Sequence, residues 1–324
     1  MTVQKTIAAN AALFDQLQKS IEQTIVGQER LINRLLITVL TGGHLLIEGP
    51  PGLAKTTAVK ALANGLHSEF QRIQFTPDLM PADLTGSDIY NQKTGEFRFL
   101  SGPLFHEMIL ADEINRAPPK VQSALLEAME ERQITIGNET HILPELYMVI
   151  ATQNPLEQSG TYPLPEAQLD RFQLHVTIDY PDQAQELEIL ERSDQGFPID
   201  SADNVLSPEQ VLATRAQLST IHVEDSIKRY IVALVTATRN SEQYLPDMKN
   251  CIRAGASPRA SKALLCCARA QAFLAQRDYV TADDIFELCN DVLRHRILLS
   301  FEAAASKITT DDLIKQLLNK VPSP

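Results

Sequence analysis

The stretch "EGPPGLAKTT", residues 48–57, decides the fold. Gly49, Lys55 and Thr56 stand at the spacing of G-x-x-x-x-G-K-[ST], the Walker A pattern. In such a loop backbone N–H groups cradle phosphates and the lysine reaches them. One position departs from the pattern: the residue before the lysine is Ala54, not glycine. The loop alone does not separate a working site from a chance match, so its surroundings carry the rest of the argument.

Those surroundings fit. "HLLIEG" (44–49) is a short apolar run ending in glycine, as a buried strand feeding a loop would be. "TTAVKALANGL" (56–66) continues as a helix with Val59, Leu62 and Leu66 on one face. Strand, glycine-rich loop and helix is the context a phosphate loop requires. Further strands are expected at 70–75, 108–113, 146–154 and 172–178, separated by helical stretches such as 118–132, where Val121, Leu125 and Met129 share a stripe. Upstream, residues 5–24 read as a helix, and "IVGQERLINRLLITVLTGG" as a turn leading into a second one. Strands alternating with helices imply a parallel sheet covered on both faces.

Two segments break that rhythm. "DIYNQKTGEFRFLSG" and "QITIGNETHIL" alternate apolar and polar residues around Thr94-Gly95 and Gly137-Asn138, and read as β-hairpins inserted into the α/β core. From about 206 onward the pattern is helical. Ser207-Pro208 and Ser257-Pro258 each place an N-cap before a proline at the first helical position, and Thr281 with Asp284 forms a capping box. The polar stretch near 194–206 marks the boundary. The expected organisation is an α/β nucleotide-binding core over 1–197 and an all-helical domain over 198–324.

The composition of 44% hydrophobic and 22% charged residues over 324 positions is that of a soluble globular protein, long enough for one large domain or two modest ones with real cores. No apolar run approaches the roughly 20 residues of a membrane span, and the first residues lack the pattern of a signal peptide. A cytoplasmic protein without membrane insertion is the expectation. The four cysteines fall in the last quarter without a C-x-x-C pair, which favours buried thiols over a metal site or disulfides. A net charge of −12 and the lack of a basic run of five or more point to a protein partner or small ligand, not nucleic acid.

Four further signals bear on chemistry. "MILADE" ends a buried strand in Asp112 and Glu113: the first carboxylate suits Mg²⁺ together with the Thr56 hydroxyl, the second suits polarising an attacking water. The competing reading is solvated acids before a turn. "VIATQNP" ends another strand in Asn154, able to bond a water and a phosphate oxygen, or simply to make a turn before Pro155. Arg171, in "LPEAQLDRFQ", lies in a polar, surface-exposed segment. Arg259, in "GASPRAS", occupies the first turn of a capped helix, where a cation opposes the macrodipole and phosphate binding would offset that cost.

These signals occur in the order of an AAA+ ATPase, and the chain resembles the MoxR family of the helix-2-insert clade over nearly its whole length. The resembling stretches are "IVGQE" (25–29), "EGPPGLAKT" (48–56), "TPDLMPADLTGS" (76–87), "GPLF" (102–105), "LADEINRAPPKVQSALLEAMEE" (110–131), "IATQNPLEQSGTYPLPEAQLDRF" (150–172) and "SPRA" (257–260). Alanine before the lysine is common in that family. It is expected to enter the helix with negative φ, where a methyl is accommodated, while Gly52 precedes the closest backbone approach to phosphate.

The resemblance implies ATP and Mg²⁺ as cofactors. Gly49, Pro50, Pro51, Gly52, Leu53, Ala54, Lys55, Thr56 and Thr57 would hold the phosphates, and Val26, Gly27 and Gln28 would pack against adenine. Asp112 and Thr56 would serve the metal, Glu113 would be the catalytic base, Asn154 sensor 1 and Arg259 sensor 2. Arg171 resembles an arginine finger acting on the neighbouring subunit, with Arg116 as its rival, and such a finger contributes roughly 10³–10⁵ in rate elsewhere. A homo-oligomeric, hexameric ring is therefore expected. The resemblance further implies chaperone-like remodelling or maturation of a client complex, including metal-cofactor insertion, with a partner carrying a von Willebrand factor A (VWA) domain. A nucleic-acid-stimulated motor and a nucleotide-gated scaffold are the alternatives.

Overall fold

The computed structural model describes residues 3–93, 95–156, 160–195, 205–248 and 250–324. The chain divides into two compact units, Gln16–Phe172 with Val176–Leu212, and Met1–Asp15 with Gln173–His175 and Ala213–Pro324. The boundary expected between 197 and 198 lies outside the described residues, as does the hairpin residue Thr94.

Along the first unit run α1 (Val3–Thr24, its latter part here), α2 (Glu29–Thr41), β1 (Leu45–Glu48), α3 (Lys55–Gly65) and β2 (Phe70–Gln74). Then come α4 (Pro81–Thr85), β3 (Gly86–Asn91), β4 (Glu96–Ser101), β5 (Met108–Asp112) and α5 (Pro119–Glu131). They are followed by β6 (Gln133–Ile136), β7 (Glu139–Ile142), β8 (Met148–Gln153), α6 (Glu166–Leu169), β9 (Leu174–Thr177) and α7 (Gln183–Gln195).

Five strands make one sheet in the order β2-β5-β8-β1-β9, parallel at β2-β5, β5-β8 and β8-β1. Leu46, Ile109, Ala111, Val149 and Ala151 share a core with Val121, Leu125 and Met129 of α5. The alternate positions Leu45, Ile47, Leu110 and Ile150 are equally buried. That is why these strands read as unbroken apolar runs: each side chain on either face is worth roughly 1.5–3 kcal/mol when buried. The register pairs Ala111 with Ala151 and Glu48 with Gln153, so the carboxyl ends of β5, β8 and β1 lie side by side. In open α/β sheets that edge is where ligands bind.

Both inserted hairpins form. β3 and β4 pair antiparallel from Gly86↔Ser101 to Asn91↔Glu96. β6 and β7 close on a two-residue turn whose first residue, Gly137, takes φ +59°. Phe99 stacks on His141 of the other hairpin at 4.2 Å between centroids.

The second unit contains the latter half of α8 (Pro208–Gln217), then α9 (Asp225–Arg239), α10 (Ser241–Tyr244), α11 (Pro258–Leu274), α12 (Ala282–Leu293), α13 (Phe301–Ala305) and α14 (Thr310–Lys320). Ser257 caps α11 and the Thr281–Asp284 box caps α12, as their sequences require. A short ribbon, β10 (Ile252–Ala254) against β11 (Leu298–Leu299), accompanies the helices. Its segments are too brief for an alternating pattern to register in sequence. Buried Arg294 links α12 to α14 by binding Asp311, with Nη2 to Oδ2 at 2.7 Å, while also pairing with Asp291. Of the thiols, Cys267 and Cys289 are buried, Cys251 is half-buried and Cys266 is exposed, so the expectation of buried thiols holds for only part of the set. Among the described residues no helix is long and apolar enough to cross a membrane.

Candidate nucleotide site

The loop between β1 and α3 is built by close packing of backbone. A Cβ on Gly49 would lie 2.5 Å from Ile178 Cγ1 and 2.6 Å from its carbonyl oxygen, so only glycine fits there. The neighbouring bonds fix it: Gly49 N donates to Gln153 O at 3.2 Å, and Ile178 N to Glu48 O at 2.9 Å. Gly52 takes φ +85°, a left-handed conformation open to glycine. Leu53 is buried as an anchor between exposed Gly52 and Ala54, and Pro50 and Pro51 complete the turn.

Ala54 overturns its expectation. It is not inside the helix with negative φ but is the N-cap of α3, with φ +53° and ψ +20°. The glycine of the usual pattern would adopt this conformation freely, whereas alanine pays about 1–2 kcal/mol for it. Ala54 is exposed, so the cost is one of backbone strain. No side chain caps α3, which leaves the first-turn amides of Lys55, Thr56 and Thr57 directed toward an anion.

Lys55 Nζ folds back to donate to Gly49 O at 2.5 Å. Burial holds its ammonium below the ordinary lysine range, opposed by the charges of Asp112, Glu113 and Glu48. The loop lysine and the carboxylates at the ends of β5 and β1 therefore share one electrostatic site, with β8 between those strands.

Both carboxylates of β5 are engaged. Thr152, buried on β8, donates from Oγ1 to Asp112 Oδ1 at 2.6 Å and accepts from Glu113 N at 2.9 Å. Glu113 itself is left-handed, at φ +57°, and the Thr152 bond helps to hold that strained backbone. Asp112 Oδ2 accepts from Arg72 Nη2 at 2.6 Å and Nε at 3.1 Å. Glu113 Oε2 accepts from Gln74 Nε2 at 2.7 Å and pairs with Arg116 Nε at 3.1 Å. Arg72, Gln74 and Thr152 escaped sequence reasoning. The only trace of the first two was their i, i+2 spacing, which puts them on one face of β2.

Asn154 is buried beside the end of β8, and its Oδ1 accepts from Leu156 N at 3.1 Å, a turn-forming bond. It lines a cavity of about 270 Å³ with Glu48, Asn115, Gln153, Thr161 and Leu169. Arg171 differs from its expected surface exposure. Its side chain is 28% exposed, pairs with Glu130 at 2.9 Å and donates to Leu126 O at 2.5 Å, both on α5. α5 holds the polar segment through Glu130 and Leu126 O, a contact that periodicity alone does not show. Val26 is buried, Gly27 turns at φ +74° against the Gln185 side chain, and Gln28 is the N-cap of α2. Arg259, exposed in the first turn of α11, belongs to the second unit, and its N–H donates to Ser257 Oγ at 3.2 Å.

A divalent metal fits this donor set. Asp112 and Thr56 supply hard oxygens, while the described residues contain no group of three or more His, Cys, Asp and Glu that could hold a metal by themselves. Hard oxygen donors of this kind suit an ion such as Mg²⁺, which keeps water and phosphate ligands of its own.

Residues 44–174 match the family described as "ATPase family associated with various cellular activities (AAA)", and residues 247–317 match an AAA lid domain. The chain is 43% identical to chaperone MoxR1 of Mycobacterium tuberculosis over 98% of this chain and 84% of that protein. It is 31% identical to the protein MoxR of Methylorubrum extorquens, over 95% and 94% of the two chains. A crystal structure of a candidate ATPase from Cytophaga hutchinsonii superposes with a TM-score of 0.92 at 46% identity, covering 98% of this chain and 97% of that one.

Proposed function

The chain belongs to the MoxR family of AAA+ ATPases, and we propose that it hydrolyses ATP, with Mg²⁺, to drive chaperone-like remodelling or maturation of a client protein complex. The observation that carries this reading is the placing of Asp112 and Glu113, at the end of β5, on the same sheet edge as the phosphate loop that follows β1. The loop 49–57 holds the ATP phosphates through Lys55 and the N–H groups of its non-proline residues, and Val26, Gly27 and Gln28 flank the adenine. Asp112 and Thr56 would hold Mg²⁺, which when bound offsets charge on the β- and γ-phosphates. Glu113 takes a proton from water as its oxygen bonds to the γ-phosphorus and the bond to the β-phosphate oxygen breaks. Gln74 and Arg116 both engage its Oε2, so Oε1 is the oxygen that takes the proton. Asn154 orients that water.

Arg171 acts on the neighbouring subunit's ATP once it exchanges its bonds to α5 for phosphate, and Arg259 reports the γ-phosphate to the lid. The core extends to about 197, with the lid from 198. The protein works in the cytoplasm as a hexameric ring, its β3–β4 and β6–β7 hairpins turned toward pore or substrate. A VWA-domain partner selects the client, and metal-cofactor insertion is one such task; these points rest on the family resemblance.

Sedimentation at micromolar protein with ATP and Mg²⁺ tests the assembly, and a mixing experiment tests the finger. Arg171→Ala and Glu113→Gln should each be inactive, and co-assembling them should restore turnover at sites combining an intact base with an intact neighbour's arginine. A fully active monomer, or no restoration on mixing, contradicts this assembly.

A further inference from the structure

Asp112 is gripped from two sides that differ in kind. On the inner side, Oδ1 accepts from the hydroxyl of Thr152, a residue 2% exposed on β8, which pairs with β5. On the outer side, Oδ2 accepts two bonds from Arg72, which stands on the sheet's edge strand with a side chain 49% exposed. A half-exposed guanidinium on a flexible stem can leave at small cost, whereas the buried threonine cannot move without disturbing the sheet.

We propose that Arg72 is a positioning residue that occupies the outer oxygen of Asp112 until a divalent cation displaces its guanidinium, so that metal binding at this site is an exchange of cations. The proposal rests on the ATPase reading above. Arg72 satisfies the geometry such a role needs: two nitrogens converge on the single oxygen not held by Thr152. An arriving cation therefore meets an aspartate already aimed, but already neutralised. The exchange also has a second recipient. Arg72 Nη2 donates to Gln74 Oε1 at 3.0 Å, and Gln74 Nε2 donates to Glu113 Oε2 at 2.7 Å. Displacing the guanidinium removes the donor that fixes the Gln74 amide, and so loosens the bond restraining Glu113. The metal's arrival thereby weakens one of the two contacts on Glu113 Oε2, Arg116 being the other.

Mn²⁺ binding followed by electron paramagnetic resonance, with saturating ADP, tests this in wild type, Arg72→Gln and Arg72→Lys. Arg72→Gln should bind Mn²⁺ roughly 3- to 10-fold more tightly, since the competing ion pair is gone. Arg72→Lys, which keeps the charge without the two-nitrogen grip, should be tighter than wild type by about 2-fold; it carries the test if Arg72→Gln does not fold. Unchanged or weaker Mn²⁺ affinity in the folded variants, with ADP still bound, would overturn the proposal alone. Wild type that bound no nucleotide would overturn the ATPase reading and this proposal with it.

Discussion

The phosphate loop and the carboxylate end of β5 serve the same site but are made differently. The loop is shaped by backbone: Gly49 against Ile178, Gly52 and Ala54 in left-handed conformations, and a lysine folded onto its own loop. The carboxylates are shaped by side chains from neighbouring strands: Thr152, Arg72 and Gln74, with Arg116 close by. A backbone-made site needs particular residues at fixed spacing. A side-chain-made site needs only that suitable groups arrive from elsewhere in the sheet. The first is therefore intolerant of a methyl at Gly49, while the second is adjustable and can be switched.

That contrast can be broken at three positions. The largest effect is expected at Gly49→Ala. Its methyl would fall on the Ile178 backbone, which cannot swing away as a side chain tip would; a loss of about 3 kcal/mol in denaturant unfolding is expected, with nucleotide binding lost alongside. A loop that absorbed the methyl unchanged would remove the distinction. Next comes Thr152→Val, which deprives Glu113 N and Asp112 Oδ1 of their shared partner. About 2 kcal/mol of stability should go, turnover should fall further than nucleotide affinity, and Thr152→Ser should restore both. Equal losses in binding and turnover, without rescue by serine, would make Thr152 a packing residue only. The smallest effect is at Ala54→Gly. Relief of about 1–2 kcal/mol of left-handed strain is partly offset by the freer unfolded chain, leaving a net gain of about 0.5–1 kcal/mol. A lower melting temperature would mean that the strain is not there.

The same contrast explains what was legible beforehand. The five sheet strands, both hairpins and the capped helices announce themselves through apolar runs, alternation and capping residues. Lys55, Asp112 and Glu113 follow from spacing at strand ends. Arg72 and Gln74 lie some 40 residues before the carboxylates they touch, and only the β2–β5 pairing joins them. Arg171 was misread as surface for a related reason: its partners Leu126 and Glu130 sit on α5, a helix that meets it only in the folded unit. Ala54 failed differently, because φ at a helix N-cap depends on the loop before it and not on the residue's helix propensity.

The central claim is that Glu113 is the base of a working ATPase. It is tested most directly by Mg²⁺-dependent phosphate release from wild type and Glu113→Gln, with bound nucleotide and oligomeric state read on the same samples. The account predicts turnover in wild type and a fall of about 10²- to 10⁴-fold in the variant, while ATP stays bound and the ring persists. Equal turnover in the two proteins, whether high or negligible, would contradict it; negligible turnover in both would leave the loop as a nucleotide-gated switch.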